Sequence, residues 1–227
     1  MSMPFYVAPE QLMKDKAEFA RKNIARGRPL IATFYADGIL LAAENTSRML
    51  HKISEIYDRI AFAGVGKVSE FDQLRQGGIR HADLKGFQYS REDVDARELA
   101  QLYAQTIGQV FTHDMKPLEV EIVVAELGLT ADGDRLYHIY YDGTPADEEP
   151  FTVLGGESEA IHARMEAAYT AGWQLADALR AAVTALGGPE RTVDPAHLEV
   201  AVLDRGNAPR AFRRYEEPDL AQLLAAN

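Results

Sequence analysis

Glu18-Phe19-Ala20-Arg21-Lys22-Asn23-Ile24-Ala25-Arg26-Gly27, with Leu30-Ile31-Ala32-Thr33-Phe34-Tyr35-Ala36-Asp37-Gly38-Ile39-Leu40-Leu41-Ala42-Ala43 close behind it, joins a helical pattern to a strand pattern. The helical part extends back to residue 8. Pro9 suits a first helical position, and Glu10 complements the positive helix end. Leu12, Met13, Ala17, Ala20 and Ile24 recur as one apolar stripe, with Lys14, Lys16, Glu18, Arg21 and Lys22 among the polar positions. Gly27 ends the helix. Leu30–Tyr35 and Ile39–Ala43 are apolar runs joined by Ala36-Asp37-Gly38. An Asp-Gly pair between two such runs predicts a hairpin.

Outward from this unit the pattern alternates in blocks. His51–Ile56 and Arg59–Val65 form a second strand pair around Tyr57-Asp58. Val68, Phe71, Leu74, Ile79 and Ala82 mark a helix, weakened by Gly77-Gly78. Leu99, Leu102, Tyr103, Ile107, Val110 and Phe111 mark another, with Ser90 and Asp93 as a capping start. Leu118, Val120, Ile122 and Val124 alternate with Glu119 and Glu121 as a half-buried strand. Leu136–Tyr141 is its hairpin partner, and Phe151–Leu154 is a short strand closed by Gly155-Gly156. Residues 157–171 and 173–186 read as helices, 187–195 as a loop, Leu198, Val200 and Val202 as a late strand, and Asp219–Ala225 as a terminal helix. Strands and helices in blocks fit two sheets covered by helix pairs, an α/β (α+β) chain with one domain over 1–227.

The chain has 227 residues and a formal net charge of −11. An acidic surface repels a phosphate backbone, which argues against nucleic acid as a partner. There is no cysteine, so disulfides and thiolate metal sites are excluded, and a cytoplasmic location is the expectation. No apolar run approaches the ~18 residues of a membrane helix. Met1–Val7 is apolar but short and lacks a basic start, unlike a signal peptide.

Several chemical lures give way to plainer readings. Gly64-Val65-Gly66-Lys67 imitates a phosphate loop, but Ala61 stands where the first glycine belongs and Val68 where Ser or Thr belongs. His51, His81, His113, His138, His162 and His197 show no ligand-spaced pair on one helix, so no metal site is expected. Asp132-Gly133-Asp134 is too short for a calcium loop and reads as a hairpin turn. No cofactor is implied.

Glu18–Gly27, its spacing to Asp37-Gly38, to Lys52 and to Ala63-Gly64-Val65-Gly66, and the run Leu198-Glu199-Val200-Ala201-Val202-Leu203-Asp204 together resemble the α subunits of the 20S proteasome. The opening Met3-Pro4-Phe5-Tyr6-Val7-Ala8-Pro9-Glu10-Gln11 resembles the actinobacterial type and departs from the Tyr-Asp-Arg opening of archaeal and eukaryotic members. The resemblance implies a four-layer αββα sandwich of the N-terminal-nucleophile hydrolase type with an extra N-terminal helix over 8–26 and the sandwich over 28–227. It implies a seven-membered ring of copies of the chain, stacked on β subunits that do the proteolysis. It also implies docking of the C-terminal tails of a hexameric AAA ATPase.

The catalytic relatives use an N-terminal Thr whose own amine moves the proton. Counting back from the Gly38 turn reaches Arg28, between Gly27 and Pro29, where no Thr or Ser stands. Their acid falls near Glu44 and their lysine near Lys52, so an acid and a base remain without the attacking group. The expectation is a non-catalytic subunit. The rival reading is an active N-terminal-nucleophile hydrolase processed at an unexpected site. In the family, a lysine matching Lys52 pairs with an activator's terminal carboxylate, and Gly66 lets the tail's backbone approach. Glu18 and Arg21 match the other polar members and, three apart on a helix, share a face and can pair. Ser2, Met3, Pro4, Phe5, Tyr6 and Val7 match the gating tail.

Overall fold

The computed structural model describes residues 8–47, 49–207 and 209–225. The six residues Ser2, Met3, Pro4, Phe5, Tyr6 and Val7, expected to form a gate, lie outside the described residues. In chain order the elements are α1 (Pro9–Ala25), β1 (Leu30–Tyr35), β2 (Gly38–Glu44), β3 (Ile53–Tyr57), β4 (Ile60–Gly66), α2 (Val68–Gln88), α3 (Ala96–His113), β5 (Val120–Glu126) and β6 (Arg135–Ile139). Then come β7 (Pro145–Asp147), β8 (Phe151–Leu154), α4 (Ser158–Ala168), α5 (Leu175–Gly187), β9 (Leu198–Asp204), β10 (Phe212–Tyr215) and α6 (Glu217–Ala225).

Two five-stranded antiparallel sheets result, ordered β10-β9-β2-β1-β8 and β3-β4-β5-β6-β7. The period of two along each strand assigns every side chain to a layer. Leu30, Ala32, Ile39, Leu41, Ala43, Ala61, Ala63, Val65, Val123, Ala125, Ala201 and Leu203 face the gap between the sheets. Ile31, Leu40, Ala42, Val200 and Val202 face the other way, onto α4 and α5. Ile60, Phe62, Ile122 and Val124 meet α2 and α3. Both faces of each sheet are therefore covered, which is why the central strands read as nearly continuous apolar runs. The four layers expected from the sequence are present. No helix among the described residues is long and apolar enough to cross a membrane.

Several local readings change. α1 buries Ala20 and Ile24 of its apolar stripe, but Leu12 stays exposed, as does Phe19 outside that stripe. Lys16, assigned to the polar face, is buried, and its Nζ donates to the Phe111 carbonyl at 3.0 Å. The cap of α3 is Asp95, whose carboxylate accepts from the Glu98 N–H at 2.8 Å. Ser90 instead opens a separate short turn, 91–93. β7 and β10 were not expected: one has three residues, and the other, Phe-Arg-Arg-Tyr, carries two arginines.

Candidate functional site

Gly27 ends α1 against the start of the β4–β5 ladder. A Cβ there would lie 2.8 Å from Val65 Cγ1 and 3.3 Å from the Gly66 nitrogen. The helix-to-strand link Gly27-Arg28-Pro29 is thereby pressed against Gly66. The same link receives Lys52, whose Nζ donates to the Arg28 carbonyl at 2.6 Å. Two of the four expected docking residues, Lys52 and Gly66, thus meet around one stretch of backbone.

Lys52 is held in place from both sides. Its carbonyl accepts from the Gly64 N–H at 3.0 Å. Its N–H and that of Ile53 donate to the buried Glu199 carboxylate at 2.9 and 3.1 Å. Asn45 Nδ2 joins the same carboxylate at 2.7 Å. Burial drives the ammonium's pKa down to about 8, opposed by Glu199 and Glu44 and reinforced by the Arg28 charge.

Gly66 has φ +108°, and a Cβ would fall 1.9 Å from the Glu119 carbonyl oxygen. Glycine is required there by the chain's own backbone, a stronger reason than room for an incoming tail. Glu18 and Arg21 do not join Lys52 and do not pair with each other. Glu18 is exposed. Arg21 Nε donates to Tyr141 Oη at 2.9 Å, and its guanidinium stands 5.3 Å from the Tyr141 ring centre.

The remnant acid is closed off. Arg28, the residue reached by counting back from the Gly38 turn, forms an ion pair with Glu44. Arg191 adds a two-pronged contact to the Glu44 carboxylate at 2.8 and 2.9 Å. The Arg191 hydrogen bond, aided by both arginine charges, holds the Glu44 carboxyl below its ordinary value despite burial. Two arginines therefore keep this carboxylate charged. Arg191 and Glu199 escaped the sequence reading. Arg191 lies in the 187–195 loop with no periodicity to mark it, and Glu199 reads as an outward residue of an alternating strand.

Comparison with known proteins gives the family. The "Proteasome subunit" family profile matches residues 24–202. The chain is 58% identical over 224 residues to the proteasome subunit alpha of Acidimicrobium ferrooxidans, covering 99% of this chain and 97% of that one. It is 56% identical to that of Sanguibacter keddieii (100% and 91% covered) and 55% identical to that of Kineococcus radiotolerans (99% and 99%). Identity at this level over nearly all of both chains, on two sheets covered by helices, makes the chain a member of the proteasome subunit family: a non-catalytic α subunit of the actinobacterial type, which assembles into rings with β subunits of a protease complex.

Proposed function

We propose that this α subunit works in the cytoplasm as the gate-carrying and activator-docking part of the 20S core. Its leading residues 2–7 restrict passage of substrate, and Lys52 with Gly66 receives the C-terminal tails of a ring ATPase. Glu18 and Arg21 border that pocket on α1.

The observation that carries this reading is the state of Lys52. Its ammonium is partly buried, yet its hydrogen-bond partner is a neutral carbonyl. Glu199 and Glu44 act on the ammonium without a direct bond to its Nζ, so an arriving carboxylate converts a neutral contact into a charge-assisted one, which contributes roughly 1.5–3 kcal/mol. A lysine suits a single carboxylate as a compact point charge on a flexible stem.

Lys52→Ala tests it. Affinity for a peptide copied from the activator's C-terminus is expected to fall about ten- to hundredfold, since each ~1.4 kcal/mol is tenfold. The loss in docking of the whole activator should be larger, because several tails engage one ring. Ring assembly and basal peptide hydrolysis should persist. Lys52→Arg should be intermediate, because the charge remains but the planar group must fit an ammonium's place. Equal peptide affinity for the wild type and Lys52→Ala would remove Lys52 from the site.

A further inference from the structure

We infer that the open edge of the sandwich holds a binding site for a guanidinium group, separate from the Lys52 pocket and independent of the function proposed above. The site lies where β6 of one sheet comes beside β8 of the other, with α4 across the opening. A cavity of about 390 Å³ there is lined by Glu121, His138, Tyr140, Thr152, Glu159 and His162, with Glu148 at its rim. It shares Glu121, Tyr140 and Glu159 with a neighbouring cavity of about 470 Å³ that reaches Arg21 and Asp142.

His138 is the buried side chain that lacks a partner in this cavity. It is 3% exposed. Its Nδ1 stands 3.1 Å from Thr152 Oγ1, while its Nε2 has no hydrogen-bond partner among the described residues. The nearest charged atom, Glu121 Oε2, is 3.6 Å from that Nε2, too far for a hydrogen bond. An unsatisfied buried nitrogen costs free energy that a bound donor would recover. We assign the tautomer in which Nδ1–H donates to Thr152, which leaves Nε2 as the acceptor. It faces the same space as the Glu121 carboxylate.

The surroundings select the donor. The smaller cavity is lined by three carboxylates, Glu121, Glu148 and Glu159, and by no lysine or arginine, so it favours a cation. Among the described residues no group of three or more His, Asp and Glu is arranged to hold a metal ion, which points to an organic cation. Tyr140 is stacked on His138 with ring centres 4.1 Å apart and planes at 23°. A flat, delocalised cation lies well on such a wall. A guanidinium can place two N–H groups on the Glu121 carboxylate and a third on His138 Nε2, whereas an ammonium offers no such fork. The source is either an arginine of an adjoining protein chain or a free guanidino compound.

Titration of the full chain with methylguanidinium, followed by NMR of the His138 ring, tests this. A saturable shift is expected, with methylammonium about tenfold weaker or worse. Glu121→Gln should weaken binding by about tenfold or more, and Glu159→Gln, at a solvent-exposed position that leaves the fold intact, by severalfold. If methylguanidinium binds the free chain but not the assembled particle, the site belongs to an adjoining chain's arginine. If it binds both, the site serves a free guanidino compound. Absence of a saturable shift in the wild-type chain, equal binding of the two cations, or wild-type affinity in the folded Glu159→Gln and Glu121→Gln variants would overturn the assignment.

Discussion

A lysine in the open solvent keeps its proton until well above pH 10, but Lys52 loses its own at about 8 because burial penalises its charge. For docking, the sign follows from which form binds. If the ammonium receives the activator's carboxylate, affinity for the tail peptide is level below about pH 8. It then falls about tenfold per pH unit as the proton leaves. For folding the sign is opposite. Between about 8 and the ordinary lysine value the unfolded chain holds the proton and the folded chain does not, so this residue's contribution makes the fold more stable as pH rises. Titrating the peptide at about pH 7 and about pH 9 separates docking from folding. An unchanged affinity across that interval would mean that the ammonium takes no part, and Lys52→Arg should show the level profile expected of a cation that keeps its proton. Glu44 shows the converse case: a buried acid kept charged by Arg191 and Arg28, structural where the catalytic relatives use an acid for chemistry.

Helix α2 illustrates how two neighbouring glycines differ. Gly77 and Gly78 both weaken a helix, by about 0.5–1 kcal/mol each relative to Ala. A Cβ on Gly77 would meet nothing within 4 Å, whereas one on Gly78 would stand 1.7 Å from Tyr103 Oη. Tyr103 is 2% exposed and lies against Phe62 with ring centres 5.7 Å apart, so it has nowhere to retreat. Gly77→Ala should therefore raise the melting temperature by a few degrees at most, since ~1 kcal/mol corresponds to roughly 2–4 °C in a chain of this size. Gly78→Ala should lower it, overpacking costing about 1–3 kcal/mol. Thermal unfolding of the two variants side by side checks this, and equal shifts would show that α2 and α3 do not meet as described. At α1 the same element logic explains the buried Lys16: its stem covers apolar surface while its ammonium reaches the last turns of α3, where carbonyls lack helical partners.

At the scale of the whole molecule, the sandwich leaves α1 outside its four layers, with Leu12 and Phe19 exposed on it. The residues proposed above to restrict passage precede this helix in the chain. Pro4-Phe5-Tyr6-Val7 is apolar for a chain terminus, and burial of a side chain such as Phe is worth roughly 1.5–3 kcal/mol. Were the proposed gate held closed by energies of this size, an activator could still reverse it. Deleting residues 2–7 should speed hydrolysis of peptides by the assembled particle. The melting temperature of the subunit should stay the same, because α1 and the sandwich are untouched. Hydrolysis no faster than in the intact particle would mean that these residues are not the barrier.

Residue spacing alone gave a helix over 8–26, which the structure bounds at Pro9–Ala25, the hairpin around Asp37-Gly38 and the helix pairs, because periodicity and turn chemistry act over short stretches of chain. Short or polar pieces escaped. β10 is an edge strand whose Arg214 reaches Glu199 at 2.5 Å, so its polarity makes sense only once β9 lies beside it. Which partners each charged group takes was decided by tertiary structure. Glu18 and Arg21 share a helix face in the sequence, yet Tyr141, 120 residues away, takes the arginine. Lys52 and Arg28 meet only after β3 is laid against the link that follows α1, and His138, beside Glu121 on the paired strand β5, meets Thr152 only where β6 of one sheet comes beside β8 of the other. Pairing across such distances depends on how the layers stack, and local pattern carries no record of it.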